Sequence, residues 1–493
     1  MRTRICFYLL LLTPLIVYWQ TAFHDFGIRE DYQYLRIARE EPGEMVKLTA
    51  SHGRPLYGAL LETTYALAQQ VENLVWMRLT SILLLTILGL VLWRQLYHSG
   101  WGEVEAAAIG LGVALLPAAQ YVTSAASCWP QALTLLLAMA GFSAVETEIE
   151  RGGLKRLVAL LGGCMIYTAA GLIYQSNVLF ALVPITAVFL VRTGREPMSD
   201  LKWGGLHLAV MAVGLLLSWL LVQALFSNGV FDESARLRLE TNPFTKLLWF
   251  VLHPLPNALA LYALADDHYH GVIYYALLAL GVVTLLVFGF RRSLAAGNAL
   301  VVRKWKICLF ALPFVAQSIS LVAAERAAGY RILFALSGLV LVLAIFAIRT
   351  LIEGRKKIKP RLVYSGYAVV FLLIAVSAQR HSYVLVGEPQ SHEWTMMRNA
   401  VLRANFNQPV RAYVITPTAE HRSTDRIYRD EFGALSSLSE RVAQEMFKTA
   451  VRARFPDRLP KGGSYAVEAG RAEPNAGAYD IVIDMRRMQT LRQ

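Results

Sequence analysis

The sequence predicts a polytopic α-helical membrane protein with a small α/β domain at its C-terminal end. Its 493 residues are 56% hydrophobic and have a mean hydropathy of +0.43, whereas a soluble domain is about 45–50% apolar. The apolar residues gather in long runs, as they do in chains that cross a membrane many times. The final stretch of the chain lacks such runs and has the pattern of a soluble domain.

About eleven apolar runs are each roughly long enough to cross a hydrocarbon core about 30 Å thick. The first run resembles a signal peptide, but no small-residue cleavage site follows it, and we expect it to remain as the first span. The predicted spans cover residues 5–23, 74–97, 106–122, 129–145, 157–174, 178–191, 203–225, 272–290, 307–322, 332–348 and 362–378.

The basic residues predict how these spans are oriented. The loops "ERGGLKR", "RTGREPMSDLK", "RRSLAAGNALVVRKWK" and "RTLIEGRKKIKPR" fall on the same side as Arg2 and Arg4 if the spans alternate. Short loops rich in Lys and Arg stay in the cytoplasm. We therefore expect a cytoplasmic N-terminus and, because the number of spans is odd, an extracytoplasmic C-terminus. The formal charge of +13 reflects this topology, and nucleic acid is not an expected partner.

Three segments outside the membrane are large. The first two are the outer loops 24–73 and 227–270, which belong to a predicted transmembrane region, 1–379. The second contains "NPFTKLLWFVLHPLPNALALYAL", in which prolines interrupt an apolar run, and we expect an interfacial or re-entrant helix there. The third segment, 380–493, is predicted to be the soluble α/β domain, with the strands "VRAYVITP" and "YDIVIDM" beside two helices. Its stretch "RDEFG" is predicted to be a structured turn without a catalytic role.

No motif points to a bound cofactor. The chain has no Walker loop, dinucleotide-binding glycine pattern, GxSxG or HExxH. A divalent cation is the less favoured alternative, because a polar run such as "ADDHYHG" before a span is more often solvated than metal-binding. Its ligands would be Asp266, Asp267, His268 and His270. The four cysteines form no CxxC pair and predict neither a disulfide framework nor a zinc site; they are Cys6, Cys128, Cys164 and Cys308.

The first outer loop has two adjacent carboxylates just past the first span. Glu30 and Asp31 stand in "REDYQYL", and His52 and Arg54 follow in "SHGRPLYGALLETTY" before an apolar helix. A carboxylate at the membrane surface can act as a general base, because burial and a like-charged neighbour both raise its pKa. Two acids in a long loop are more often solvated charges. The nearby His52 and Arg54, however, favour the interpretation that one of them acts as a base.

Two further polar clusters lie at the outer ends of spans. Tyr174 and Gln175 occupy the turn in "GLIYQSNVLF", while Arg326, Tyr330 and Arg331 stand in "LVAAERAAGYRILFAL". Arginines are disfavoured on the outer side, so two at headgroup level predict phosphate binding through bidentate hydrogen bonds. The alternatives are an ordinary polar turn in the first cluster and snorkelling or glutamate-paired arginines in the second.

In this order, the motifs "REDYQYL", "GRPL", "YQSN" and "ER…YR" resemble those of the GT-C superfamily of membrane glycosyltransferases, and more narrowly of the serotype-converting O-antigen glucosyltransferase family. The resemblance implies a GT-C-like fold in which Asp31 is the catalytic carboxylate, with Glu30 beside it. It also implies that Arg326 or Arg331, with Tyr330 between them, meets the donor phosphate. Many GT-C enzymes carry two aspartates where this chain has Glu-Asp.

The same resemblance implies a hexosyl- or pentosyltransferase that takes its sugar from a polyprenyl phosphate and needs no nucleotide sugar. The acceptor would be O-antigen or another cell-surface glycan or glycolipid, and the protein would lie in a bacterial inner membrane with its C-terminus in the periplasm. The remaining candidate residues would bind substrate; they are His52, Arg54, Tyr174, Gln175 and His253, the last in "HPLPNAL". The alternatives are an O-antigen polymerase or ligase, a pilin or protein glycosyltransferase, and a transporter, although transporters usually carry charges inside their spans.

Overall fold

The computed structural model describes residues 2–150, 152–192, 198–267, 271–353, 359–418, 426–457 and 459–487. Most of these residues are helical, and the strands among them form a single three-stranded sheet. The first eleven helices are α1 (Arg2–Ala22), α2 (Glu30–Glu40), α3 (Glu44–Ser51), α4 (Pro55–Ala68), α5 (Val75–His98), α6 (Glu103–Leu115), α7 (Pro117–Ser124), α8 (Trp129–Glu148), α9 (Gly153–Val178), α10 (Leu182–Val191) and α11 (Asp200–Ser227).

The second half of the chain alternates long helices with short ones. The helices are α12 (Pro243–Leu252), α13 (Pro254–Leu259), α14 (Val272–Ala295), α15 (Ala299–Phe310), α16 (Leu312–Ala316), α17 (Ser318–Val322), α18 (Phe334–Glu353), α19 (Pro360–Ser382), α20 (Glu388–Arg403) and α21 (Glu440–Arg454). The strands are β1 (Val410–Ile415), β2 (Tyr465–Gly470) and β3 (Ile481–Asp484).

The predicted number of eleven spans is not confirmed. In the described ranges, eight helical stretches are long and apolar enough to cross a membrane, or nine if the pair α6 and α7, bent by 48°, crosses as one. Residues 178–191 belong to a single helical stretch, Gly153–Val191, with a break at Tyr174. Residues 307–322 are divided among α15, α16 and α17. Pro313 lacks an N–H and cannot continue α15, which accounts for the first of the two breaks.

Apolar side chains cover the outside of several long helices. Leu216 of α11, Leu277 of α14 and Leu372 of α19 are 52%, 61% and 65% exposed. Soluble monomers rarely expose continuous apolar surface of this kind, so these helix faces are suited to lipid. Together with the spanning lengths, they make the chain a multi-pass membrane protein.

Arg78 of α5 fixes how the chain leaves α1. Its guanidinium is buried and donates hydrogen bonds to the carbonyls of Thr21, Ala22 and His24 at 2.7–3.2 Å, and to that of Phe26 at 2.7 Å. Carbonyls at the end of a helix lack helical partners and carry partial negative charge. One buried cation therefore satisfies them and sets the position of α2, the next helix.

The C-terminal part contains a parallel sheet in the order β2-β1-β3. In the register, Val410 of β1 lies opposite Tyr465 of β2, and Ala412 opposite Ile481 of β3. Strands β1 and β3 lie where the sequence predicts them, but β2 was not predicted, because "YAVEAG" has a single β-branched residue and includes alanine, glutamate and glycine, which are depleted in strands.

The C-terminal part does not pack separately from the first outer loop. Tyr32 and Leu35 of α2 share one hydrophobic core with Trp394 of α20 and Met446 of α21. In addition, α19 continues through a π-helical turn, Tyr383–Gly387, directly into α20. The predicted boundary at residue 379 therefore falls inside a continuous helical stretch, and loop 24–73 packs with the region predicted to be a separate domain.

Candidate active site in a basic cavity

A cavity of about 580 Å³ lies between the first outer loop, the break in α9 and the C-terminal part. Sites for small molecules typically enclose about 300–1,000 Å³. The cavity is lined by Arg29, segment 52–54, segment 174–176, one face of α11, the stretches around 236–239 and 318–332, and the turn 429–431.

Positive charge dominates this basic cavity. Five arginines and three carboxylates line it, so five minus three leaves two net positive charges when all are ionised. The arginines are Arg29, Arg54, Arg236, Arg331 and Arg429, and the carboxylates are Glu325, Asp430 and Glu431. In the described part of the chain, neither Arg54 nor Arg236 forms an ion pair, so their guanidinium groups are free to attract an anion.

Two motifs from distant parts of the sequence meet at the cavity wall. Tyr174 has φ −155° and ψ 99°, which interrupts α9 and turns this residue toward the first outer loop. The Arg54 guanidinium lies over the Tyr174 ring, 4.2 Å from its centroid. The Gln175 side-chain amide donates a hydrogen bond to the Gly53 carbonyl at 2.5 Å. Four predicted site residues, including His52, thus line one cavity.

Arg331 lines the cavity beside a buried carboxylate. The Glu431 Oε1 atom lies 3.6 Å from Arg331 Nε, and its Oε2 atom accepts a hydrogen bond from the Tyr330 N–H at 2.6 Å. The Glu431 side chain is 6% exposed. Burial raises the pKa of Glu431 to about 7, although the Arg331 guanidinium and the backbone N–H groups partly oppose the change. Such a carboxyl can exchange a proton near neutral pH.

A strained turn presents Glu431 to the cavity. Arg429 and Asp430 have φ of +50° and +55°, a left-handed conformation that costs a non-glycine residue roughly 1 kcal/mol. The carboxylate of Asp267 accepts hydrogen bonds from both of their N–H groups, at 2.9 and 2.8 Å. Arg29, also left-handed with φ +47°, forms an ion pair with Asp430 at 2.7 Å. Strain held in place by several partners is typical of functional sites.

One wall of the cavity is apolar and borders the lipid-facing surface. It consists of Leu215, Trp219 and Val222 of α11 and of Ile319 and Val322 of α17. Trp219 lines the cavity and is nevertheless 55% exposed. The cavity is therefore open toward the apolar outer face of α11.

Asp31 and Glu30 do not line the basic cavity. Asp31 is buried, and its carboxylate accepts hydrogen bonds from the N–H groups of Ile28 and Ser127, at 2.8 and 3.2 Å, and from the Tyr65 hydroxyl at 2.5 Å. Burial raises the pKa of Asp31, and these hydrogen bonds oppose the rise. Glu30 is exposed at the start of α2. Asp31 therefore ties the first outer loop to the segment before α8.

The remaining predicted residues, two for the donor phosphate and one for substrate, also lie outside the cavity lining. Arg326 is 51% exposed and lies 3.7 Å from Glu240, and it donates to the Thr245 hydroxyl at 3.2 Å. The Tyr330 ring is buried, and its hydroxyl accepts a hydrogen bond from the Ala265 N–H. His253 lies between α12 and α13, where burial and the charge of Arg429 lower its pKa.

No metal centre is evident among the described residues, since nowhere do three or more His, Cys, Asp or Glu side chains group to hold an ion. Of the predicted alternative ligands, Asp267 binds the turn at 429–430, and His268 and His270 lie outside the described residues. His52 is a poor cation at neutral pH, because burial and the charges of Arg236 and Arg54 lower its pKa.

Sequence reasoning missed several residues of this site, above all Arg29, Asp430 and Glu431. The motif "RDEFG" puts an arginine next to two acids. This composition is equally typical of a functional site and of a solvated turn. Nothing in its spacing indicates that it reaches a cavity formed by residues nearly 400 positions earlier. Positive φ at non-glycine residues, the strongest local signal, is invisible in a sequence.

The fold and the site together define a multi-pass helical membrane protein with a basic cavity that borders its lipid-facing surface. No family model and no curated protein matches the sequence. The archaeal oligosaccharyltransferase AglB from Archaeoglobus fulgidus, in complex with an inhibitory peptide and a dolichol-phosphate, is 10% identical over 94% of this chain and 64% of its own, with a TM-score of 0.43.

A second Archaeoglobus fulgidus oligosaccharyltransferase structure, tethered with an acceptor peptide, is 13% identical over 84% of this chain and 62% of its own, with a TM-score of 0.42. This chain thus spans less than two thirds of the length of either. These scores are too low to assign the two proteins and this chain to one fold.

Proposed function

We propose that this chain is an integral membrane glycosyltransferase of the GT-C type, which moves a sugar from a polyprenyl phosphate to an acceptor outside the cytoplasm. One observation carries the proposal. The cavity is lined by five arginines, of which Arg54 and Arg236 form no ion pair in the described part of the chain, and it also has an apolar wall that opens toward the lipid-facing surface of α11. A ligand that combines a phosphate with a long hydrocarbon chain matches both features.

Arg54 and Arg331 are the proposed phosphate ligands. The Arg54 guanidinium lies over the Tyr174 ring, which restricts the side chain, so little side-chain entropy is lost when the guanidinium binds an anion. Arg331 is oriented by Glu431. Charge-assisted hydrogen bonds from arginine to phosphate are about twice as strong as neutral ones, and they strengthen further as the leaving phosphate gains negative charge.

The donor supplies the driving force, so the reaction needs no nucleotide on the outer side. The bond between the sugar and the lipid phosphate breaks, and the acceptor hydroxyl takes its place on the sugar after losing a proton to a carboxylate. Exclusion of water by the surrounding loops limits hydrolysis of the donor. Asp31 remains the carboxylate predicted from the family resemblance, and Glu30 its predicted neighbour.

O-antigen, or another glycan or glycolipid at the surface of a bacterium, is the proposed acceptor, with the protein in the inner membrane and its C-terminus in the periplasm. A glycan polymerase or ligase and a glycosyltransferase with a protein acceptor would use the same donor chemistry. They differ from the proposal in the acceptor alone, so they are separated by product analysis. A transporter would move solute without forming a glycosidic bond.

The test is transfer of labelled sugar from a polyprenyl phosphate to a panel of acceptors in liposomes that contain the purified full-length protein. We expect product with the lipid donor and none with a nucleotide sugar. Arg331→Ala should weaken donor binding by about ten- to a hundredfold, because a charge-assisted hydrogen bond contributes about 1.5–3 kcal/mol.

Arg326→Ala is the matched control, because Arg326 comes from the same motif but lies outside the cavity lining. Its donor affinity should equal that of the wild type. Equal donor affinity in Arg331→Ala would remove the cavity from the donor site, and an absence of transfer from every lipid-linked sugar would contradict the proposed function.

A further inference from the structure

We propose that Glu431, from the C-terminal part of the chain, is the general base that deprotonates the acceptor hydroxyl. This inference rests on the proposed function and gives the role of the base to Glu431 in place of Asp31. Three observations carry it: the position of the carboxylate in the cavity, the way its two oxygens are held, and the strained turn that presents it.

The position of Glu431 is matched by no other carboxylate of the cavity. Asp430 is paired with Arg29 and its side chain is 76% exposed. Glu325 is exposed to solvent at the rim. Asp31 is not part of the lining, and both its oxygens already accept hydrogen bonds. Among the residues that the structure describes, Glu431 is the one carboxylate that lines the cavity and is shielded from water, as a base beside a hydrolysable donor must be.

The two oxygens of Glu431 are held unequally. Oε2 accepts a short hydrogen bond of 2.6 Å from the Tyr330 N–H, whereas Oε1 lies 3.5 Å from the Arg331 N and 3.6 Å from its Nε. Gly329 lets the carboxylate come this close, since a Cβ at that position would lie 2.6 Å from Oε1. Oε2 thus fixes the orientation of the group, and the more loosely held Oε1 is left to accept a proton.

The arrangement couples the base to the phosphate ligand. Arg331 faces both Glu431 and the space assigned to the donor phosphate. In the step, the acceptor O–H proton moves to Glu431, and the acceptor oxygen forms a bond to the anomeric carbon. The bond from that carbon to the phosphate oxygen breaks, and the electron pair leaves with the phosphate, where arginine stabilises it. The protonated glutamic acid then returns its proton to water.

The experiment uses the full-length protein in liposomes and compares Glu431→Gln with Glu473→Gln, a control in which the changed residue is an exposed partner of Arg486. Glutamine keeps an acceptor for the Tyr330 N–H but cannot take the proton. We expect donor binding to be retained and transfer to fall by about 10²–10⁴-fold, the usual contribution of a general base. The control should transfer at the wild-type rate.

Glu431→Asp is a second variant, needed in case Glu431→Gln does not fold. It keeps the carboxylate and shortens the side chain by one methylene group. Its transfer rate should lie between those of the wild type and Glu431→Gln. If wild type is active and Glu431→Gln transfers equally fast, Glu431 is not the base, while the proposed function stands. If Asp31→Asn alone abolishes transfer, the base is in the first outer loop. If wild type itself transfers nothing, the proposed function fails first.

Discussion

At the scale of single residues, two arginines from one short motif have different surroundings. Arg331 faces Glu431 in the cavity, whereas Arg326 turns to Glu240 and Thr245 at an exposed site. The sequence predicts both as phosphate ligands, because charge and position relative to the membrane are the same for both. It could not separate them, since the partner of Arg331 comes from a turn 100 residues later.

The raised pKa of Glu431, at about 7, makes the proposed base sensitive to pH. A general base acts as the carboxylate, which is the form present above the pKa. We therefore expect the rate of sugar transfer to rise with pH through about 7 and then to level off. The measurement is the rate at saturating donor across this range, and Glu431→Gln should lose the step.

Stability should change with pH in the opposite direction. The folded-state pKa of Glu431 lies above the value of 4.5 for an unperturbed glutamate, so its contribution to stability is complete below that value and is lost as pH rises to about 7. The groups that face it are Arg331, Arg29 and the side chains of Tyr121 and Cys128. The arginines keep their charge in this range. For catalysis, in contrast to stability, a transfer rate that falls as pH rises through 7 would contradict the assignment of Glu431 as the base.

At the scale of elements, breaks in regular structure build the site. The interruption of α9 at Tyr174 lets Gln175 bond to Gly53, and the turn at 429–430 aims Glu431 into the cavity. The sequence predicts that the motif around Tyr174 is part of the site and forms a turn between two spans; the structure places it in the wall of the basic cavity, within one interrupted helical stretch. Its apolar flanks on both sides favour two short spans, and only tertiary packing makes them one broken helix.

A proline also explains part of the difference between the predicted number of spans and the observed one. The run 307–322 is apolar enough to be a span, but Pro313 separates α15 from α16, and a second break at Gln317 separates α16 from α17. Hydropathy averages over such a window and is therefore insensitive to a single residue that removes a helical hydrogen bond. Long runs without an internal break, such as those of α11, α14 and α18, could be predicted from composition alone.

Asp267 accepts hydrogen bonds from both N–H groups of the strained turn, which makes a test at this scale possible. Asp267→Ala removes both hydrogen bonds to the N–H groups of Arg429 and Asp430. Without them the left-handed turn should relax and move Glu431, and a displacement of about 1 Å can cost about 10²-fold in rate. We expect transfer to fall by that order while donor binding persists. The matched control is Asp232→Ala, which changes an exposed residue of the same outer loop; equal rates in both variants would mean that the turn does not position the base.

At the scale of the whole molecule, the C-terminal part completes the basic cavity. Loop 24–73 and the region after α19 share a hydrophobic core, and both contribute residues to the cavity lining. They therefore lie on one side of the membrane whatever the number of spans. Which side that is remains a prediction from the positive charges of the short loops. The sequence could not predict the shared core, because apolar patterning reveals which faces are buried and not what covers them.

The most direct test of the whole account is a cryo-EM structure of the protein in lipid nanodiscs with a polyprenyl-phosphate-linked sugar. The account predicts phosphate density between Arg54 and Arg331, a hydrocarbon chain that leaves along α11 past Trp219, and a sugar within reach of Glu431. Donor density at another surface, or an empty cavity at saturating donor, would contradict it.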